Sequence, residues 1–326
     1  MAAEQDMTED YLEDEEVFRR NAYLLIEKMV ELSNRTREDT SMLVDEILHS
    51  IFFLGHIIFP PCSLKSLLDD DDEIYEHLND RYPEPFIRYS SQLPRRSPLS
   101  CVLDMIVHLI QQENEAGIIV QIKALTRKLM DKTKSKILFS TTLCISRTSS
   151  SVRYYGVSMS TFGRPAGKIM VAASCLCSTW DDYVADAVMT YYPSKEKKPY
   201  FDGTFQLPSN VTCQAVNISS GERMNPCRSC GNLFGLHTES TQKWAYGNCA
   251  EVESVSKLLK NEKQVRDQVQ PRSNLFTEEG RQRAKECVLK DLKNLLKNVG
   301  FEWDNNFYTP QRAKTIVSTT TEEVDG

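Results

Sequence analysis

The sequence predicts a mixed fold of the α+β or α/β class, in which a helical N-terminal region precedes a mixed β-sheet domain with flanking helices. Apolar residues recur at helical spacing up to residue 132, and strand-like runs follow from residue 136. Later strands lead into helices that carry cysteines, an order typical of layered α and β structure. We expect four segments: a disordered acidic tail over residues 1–13, a helical region over 14–132, an α/β domain over 133–300, and a loose tail over 301–326.

Four helices are predicted in the N-terminal region from apolar spacing and from signals at their ends. Ser97 followed by Pro98 is a typical helix start, and Pro60 and Pro61 end the helix before it. The acidic, proline-containing stretch 69–96 is expected to be a long connection with one short helix. The four helices are predicted over residues 15–32, 40–59, 97–109 and 117–132.

The second half is predicted to begin with strands. Residues 136–146 and 152–160 are rich in strand-forming residues and are joined by a polar loop, which predicts a hairpin. The apolar run 169–177 is expected to be another strand, and residues 211–218 form a strand that leads toward the first cysteines. Further along, the pattern predicts a helix over 179–191, a polar linker over 264–274 and a last helix over 277–300.

Composition and charge exclude several classes of protein. Of the 326 residues, 40% are hydrophobic and 26% charged, as in soluble globular proteins. The net charge of −7 argues against a generic nucleic-acid binder. The Lys- and Arg-rich stretch 257–297 could form either solvated helix faces or a local basic groove, and the sequence leaves both open. The acidic N-terminus is unlike a secretory signal, and the apolar stretch 42–59 contains charged residues, so we expect a cytoplasmic protein, with the nucleus left open and no membrane association.

Three of the ten cysteines have the spacing of metal ligands. Cys227 and Cys230 stand in a Pro-Cys-x-x-Cys, and Cys249 and Glu251 stand in an Asn-Cys-Ala-Glu. Two cysteines separated by two residues can share one tetrahedral zinc ion, and the third cysteine supplies another ligand beside a carboxylate. A Cys-x-x-Cys by itself is equally typical of a structural half-site, a redox pair or unrelated thiols.

Both cysteine groups are predicted to lie at helix N-termini. Pro226 suits the first turn of one helix, and Asn248 is a good N-cap for another that begins near Cys249. Unpaired N–H groups at a helix start favour the thiolate form that binds metal. Two helix starts facing one another would therefore make a compact zinc site.

These motifs resemble the signatures of the cytidine deaminase-like superfamily of zinc-dependent enzymes. Cys249-Ala250-Glu251 is similar to the family's Cys/His-Ala/Val-Glu, and the segment 226–230 is similar to its Pro-Cys-x-x-Cys, although the family has the glutamate motif first and this chain has it second. The resemblance implies that Cys227, Cys230 and Cys249 bind zinc. It also implies that Glu251 transfers the proton during hydrolytic removal of an amine from a nucleobase, in a nucleic acid or a related substrate.

Three alternatives remain open from the sequence. His237 or Cys287 could be a fourth ligand, which would close the site and make the zinc structural. Glu251 could instead complete a capping box with Asn248. The chain would then be a non-enzymatic interaction protein that binds a protein partner through its N-terminal helices.

Overall fold

A computed structural model describes residues 2–60, 62–130 and 136–315, with side chains from residue 12 onward. Six helices lie in the first part of the chain: α1 (Ala2–Asn34), α2 (Ser41–Ile58), α3 (Asp72–Arg81), α4 (Pro83–Arg88), α5 (Pro98–Ile110) and α6 (Glu115–Met130). Six more follow: α7 (Arg164–Leu176), α8 (Asp182–Met189), α9 (Arg228–Phe234), α10 (Ala250–Asn261), α11 (Lys263–Arg266) and α12 (Glu278–Asn298). The strands are β1 (Thr142–Arg147), β2 (Tyr154–Val157), β3 (Phe205–Gln206), β4 (Thr212–Asn217), β5 (Arg223–Met224) and β6 (Gln270–Pro271).

The main sheet has the strand order β2-β1-β4-β5, and every neighbouring pair in it is antiparallel. The predicted hairpin is confirmed as β1 and β2, in which Leu143 pairs with Val157. The predicted strand before the cysteines is confirmed as β4. A short second sheet pairs β3 with β6. Helices at the N-terminus with an antiparallel sheet confirm the mixed fold and identify it as α+β.

Helix α10 packs on β1, β2 and β4. It approaches β2 most closely at Gly156, because a Cβ atom there would lie 2.5 Å from the backbone nitrogen of Ser254. The Oγ atoms of Ser146 and Ser254, both buried, lie 2.9 Å apart across the same interface. Gly156 thus sets how closely the helix that begins beside Cys249 sits on the sheet.

The run 169–177 was predicted as a strand, and this prediction is wrong, because the run lies in α7. Apart from Ser174 the run contains only apolar residues, so neither a helical nor a strand period can be recognised within it. Pro165 in the first turn and the neighbouring Ala172 and Ala173 favour a helix. The linker predicted over 264–274 also differs, since it contains α11 and strand β6.

Both predicted tails differ from the structure where it describes them. Helix α1 begins at Ala2, so the segment expected to be disordered is continuous with the first predicted helix. Its acidic residues are compatible with a helix because the helix dipole stabilises negative charge near the N-terminus. The segment 301–315 contacts the N-terminal helices through particular side chains. Phe301 and Tyr308 are buried, and Tyr308 stacks on His49 with ring centroids 3.8 Å apart. Residues 316–326, and the predicted boundary at 132/133, lie outside the described residues.

Helix α2 is the one described helix long and apolar enough to cross a membrane by length and composition. In the structure 78% of it is buried, and it packs against α1, α4, α5 and α7. Its buried side chains belong to a hydrophobic core that extends into the second half of the chain. The N-terminal helices are therefore part of one core with the residues that follow.

Asp45→Asn is expected to stabilise the protein at pH 8. Burial raises the pKa of Asp45 to about 6, against about 3.9 for an unperturbed Asp, so ionisation of this carboxyl group costs folding free energy above pH 6 and nothing below about pH 4. Asn keeps the Oδ1 atom that accepts from the Tyr308 hydroxyl and the Gln311 N–H. We expect a gain of about 3 kcal/mol at pH 8 that disappears at pH 4, measured by urea unfolding.

Asp39→Asn is the matched control for this prediction. Hydrogen bonds from the Ser41 hydroxyl and N–H lower the pKa of Asp39 below its value in the unfolded chain. The ionised carboxylate therefore stabilises the fold at pH values above the unfolded-chain pKa, and this stabilisation is lost as the pH falls. This variant should lose stability at pH 8. An Asp45→Asn protein that is no more stable than the wild type at pH 8 would contradict the assignment.

Candidate metal centre

The three predicted cysteines come together because two helices begin at the same place. The strand β4 turns through β5 into Pro226, and α9 then begins with Cys227 in the N-cap position. Helix α10 begins with Cys249 in its own N-cap position. The predicted N-cap Asn248 is therefore off by one residue. Its carbonyl oxygen instead accepts from the N–H of Met159, at 2.8 Å, which ties the start of α10 to the end of β2.

The sulfur atoms have the spacing that a tetrahedral metal requires. Sγ of Cys227 lies 3.6 Å from Sγ of Cys230 and 3.5 Å from Sγ of Cys249, and the three ligand atoms all lie within 4.8 Å of one another. Two thiolates on one zinc ion at about 2.3 Å each are about 3.8 Å apart. The cluster could therefore hold a metal ion with little rearrangement.

The local electrostatics favour a bound cation. The Cys230 and Cys249 thiols, with the N–H groups of Cys230 and Ser229, lower the pKa of Cys227 to about 2. The same contact with Cys227 raises the pKa values of Cys230 and Cys249, and burial adds to both. The three groups thus share one negative charge centred on Cys227. A divalent cation would supply the compensation that lets the other two thiols lose their protons.

Glu251 is the second residue of α10, and its side chain is 5% exposed. Burial raises the pKa of this carboxyl group, and the charge of Cys227 raises it further, against the contrary effect of its own N–H and the Cys230 thiol. The capping-box alternative needs Asn248 as N-cap. Because Cys249 holds that position and no side chain caps this terminus, Glu251 does not form the predicted box. It lies beside the sulfur cluster as a buried carboxyl group.

Neither candidate for a fourth ligand joins the cluster. His237 is exposed on the segment after α9. Cys287 lies on α12, where it contacts Tyr200; burial raises the pKa of Tyr200, and Cys287 raises it further. In the described part of the chain, no other His, Cys, Asp or Glu side chain belongs to the group formed by the three cysteines. A tetrahedral ion held here would keep one position for a ligand from outside the protein.

The aromatic residues before Cys249 have different surroundings. Trp244 is 56% exposed, whereas Tyr246 is buried and stacks on Tyr191 with ring centroids 3.9 Å apart. Asn232, on α9, donates to the Tyr246 hydroxyl at 2.7 Å. Tyr246 therefore supports α9 and does not offer a free ring face to a substrate on the Tyr191 side.

A cleft of 560 Å³ lies beside α9. Its wall includes Arg228 from within the Cys-x-x-Cys, together with Asn232, Arg272 and the predicted ligand candidate His237. Asn232 was not predicted as a site residue; it faces the cleft because it lies on α9, four residues after Arg228.

A second thiol pair was not predicted. Sγ of Cys144 lies 3.4 Å from Sγ of Cys213, and both pack near Ala250 at the start of α10. The pair forms because β1 and β4 are antiparallel with Ser146 opposite Cys213, which places Cys144 diagonally across from it. No spacing in the sequence predicts such a pair, because the pair depends on the register of two strands.

Comparisons of this chain with protein-family models, with curated proteins and with solved structures found no match.

Proposed function

We propose that the protein is a zinc-dependent hydrolase of C–N bonds that removes an amine from a nucleobase or a related substrate. Cys227, Cys230 and Cys249 hold the ion as thiolates, and Glu251 carries the proton. The observation that supports this proposal is that, among the described residues, three sulfurs converge with a buried carboxyl group beside them. A fully structural site would be expected to have a fourth protein ligand.

The donor set favours zinc among the common metals. Thiolates are soft ligands, which select zinc, Cu(I) or iron–sulfur clusters over magnesium and calcium. One group of three sulfurs at tetrahedral spacing fits zinc, because a cubane or binuclear cluster needs four cysteines. Bound zinc would supply an acidified water as the nucleophile.

Glu251 is suited to hold and release a proton. Its raised pKa brings the carboxyl group closer to neutral pH, where a general acid–base is most effective. The group accepts a proton when water attacks the ring carbon and donates it to the departing amine, so it returns to its starting state. Its burial excludes bulk water from this exchange.

The cleft beside α9 supports a substrate that carries an anionic group. Three cations, from Lys197, Arg228 and Arg272, line it with the single carboxylate of Asp202. Asp202 pairs with Lys197, and Arg272 donates to the Gln206 side chain at 2.6 Å, so neither guanidinium group has a carboxylate partner among the described residues. The Asn232 side chain on the same wall adds an amide that can hydrogen-bond a base edge. A nucleotide or a nucleic-acid strand fits this chemistry better than a free base.

Metal content tests the proposal first. We expect about one zinc per chain in protein purified without chelator, and loss of most of it in Cys227→Ser, Cys230→Ser and Cys249→Ser. His237→Ala and Cys287→Ser are the matched controls and should keep the metal, because neither residue lies in the cluster. Ammonia release from cytosine-, adenine- and guanine-containing nucleosides, nucleotides and single-stranded oligonucleotides then identifies the substrate.

The outcomes separate the two functions considered. Zinc that is lost with each cluster cysteine, together with ammonia release, supports the enzyme. Zinc that is also lost with His237 or Cys287 would indicate a closed structural site and the interaction protein. Folded protein that contains no zinc would overturn the proposal.

A further inference from the structure

A separate cavity of 440 Å³ lies between the N-terminal helices and α10. Residues of α2 and α5, of the end of β2 and of the connection between α7 and α8 complete its wall. Seven charged side chains line it, four of them cations: Glu46, Arg95, Arg96, Asp104, Glu253, Lys257 and Lys260. Their pairing determines what the cavity can bind.

Five of these groups form a closed network. Arg96 donates to both carboxylate oxygens of Glu46, at 2.7 and 3.0 Å, and also to Asp104. Lys257 lies 2.5 Å from Asp104 and 2.6 Å from Glu253. All three carboxylates of the cavity are therefore already engaged by Arg96 and Lys257. None remains for the other two cations.

Arg95 and Lys260 are the cations left over. Nη2 of Arg95 donates only to the Cys177 carbonyl oxygen, at 3.4 Å, and its Nε is sealed from solvent with no hydrogen-bond partner. Nζ of Lys260, at the rim, donates to the carbonyl oxygens of Ser178 and Thr179 at 2.8 Å each. In the described part of the chain, neither has a carboxylate within ion-pair distance.

The two cations are held close together by one loop. Their acceptors are the carbonyls of three consecutive residues, 177–179, and Ser178 adopts the left-handed conformation with φ of 58°. Burial lowers the pKa of Lys260 against the attraction of Asp181 and Cys177, and the positive charge of Arg95 lowers it as well. Two cations held by one loop, each without a carboxylate within ion-pair distance among the described residues, are typical of a site for a ligand anion.

We propose that this cavity binds a phosphate group, with Arg95 and Lys260 as its anchors. A guanidinium fork and an ammonium group together match the oxygens of a phosphate. Trp180, Val157 and Met159 line the cavity as well and offer an apolar surface to the rest of a small phosphate ester. Of the residues assigned to the proposed reaction, Cys249 lines this cavity, whereas Glu251, Cys227 and Cys230 do not.

Calorimetric titration of the full-length protein with inorganic phosphate, and separately with glycerol 3-phosphate, tests the proposal. We expect saturable binding that weakens with added salt, and a loss of at least about tenfold in the association constant in Arg95→Gln and in Lys260→Gln. Lys263→Gln is the matched control, because Lys263 is exposed nearby and lines none of the cavity, and it should bind as the wild type does. Tighter binding of the ester identifies an organic phosphate, and equal binding identifies free phosphate.

Two results would overturn the proposal: no binding by the wild type at about 10 mM phosphate, or wild-type affinity in both anchor variants. Urea unfolding establishes that the variants are folded, and Lys260→Gln keeps the test decisive if Arg95→Gln is unstable, because Lys260 is exposed. Zinc content, measured on the same samples, should be unchanged. A failure of the zinc proposal is thereby distinguished from a failure of this one.

Discussion

Glu251→Gln is expected to leave the metal content unchanged and to lower the rate of ammonia release by about 10²–10⁴-fold, the usual contribution of a positioned acid–base group. Gln has nearly the same size and can keep the hydrogen bond to the backbone, but it cannot carry a proton. The carboxyl group is buried against the sulfur cluster, so no exposed group can replace it there. The measurement is the ammonia-release rate on the substrate found in the screen, with zinc per chain measured in parallel.

Glu262→Gln is the matched control for this variant. Glu262 follows the C-terminal end of α10, and its carboxylate accepts from the Tyr154 hydroxyl at 2.7 Å, away from the cysteines. We expect this variant to retain the wild-type rate. Full activity in Glu251→Gln would contradict the catalytic assignment, and a change confined to thermal stability would indicate a structural role for the carboxylate.

The convergence of the three cysteines was predictable because its determinants are local. A Pro-Cys-x-x-Cys fixes two sulfurs on one helix start, and the structure places Cys227 and Cys230 as the spacing predicted. The Cys249 sulfur joins these two sulfurs because a second helix begins close to the first. The cap was displaced from Asn248 to Cys249 because the Asn248 carbonyl is engaged by Met159, a contact across the fold that no local rule contains.

The parts that were missed depend on burial and on long-range contacts. The run 169–177 shows no helical period because nearly all of its residues are apolar, and periodicity reports only a difference between an exposed polar face and a buried apolar face. The residues after Phe301 are mostly polar, but the Tyr308 hydroxyl donates a hydrogen bond to Asp45 on α2, 263 positions away in sequence. The pair Cys144 and Cys213 depends on strand register in the same way.

The charge network could not be predicted from the sequence. Arg95 and Arg96 are neighbours in the chain, and composition treats them alike. The fold gives Arg96 two carboxylates from different helices and gives Arg95 none among the described residues. Which cation is available for a ligand is therefore decided by tertiary structure alone.

Gly156→Ala is expected to destabilise the protein by about 3 kcal/mol and to weaken zinc binding by about tenfold. The added Cβ would lie 2.5 Å from the Ser254 nitrogen and closer still to the Ala250 carbonyl oxygen. Both are backbone atoms of the first five residues of α10, so no side chain can rotate away to relieve the contact. Ordinary contact needs a shift of about 1 Å, and forcing a packed backbone apart typically costs 1–3 kcal/mol or more.

Zinc binding is expected to weaken because a zinc-ligand cysteine stands at the start of α10. Cys249 is its N-cap, and a displaced α10 moves this sulfur away from Cys227 while α9 stays in place. Gly167→Ala is the matched control: Gly167 lies within α7, where a Cβ meets nothing closer than Thr161 Oγ1 at 3.4 Å, so the change should be neutral or stabilise by up to about 1 kcal/mol. Urea unfolding and competition with a zinc chelator measure the two effects. A Gly156→Ala protein that is destabilised but holds zinc as tightly as the wild type would show that the position of α10 does not control the metal centre.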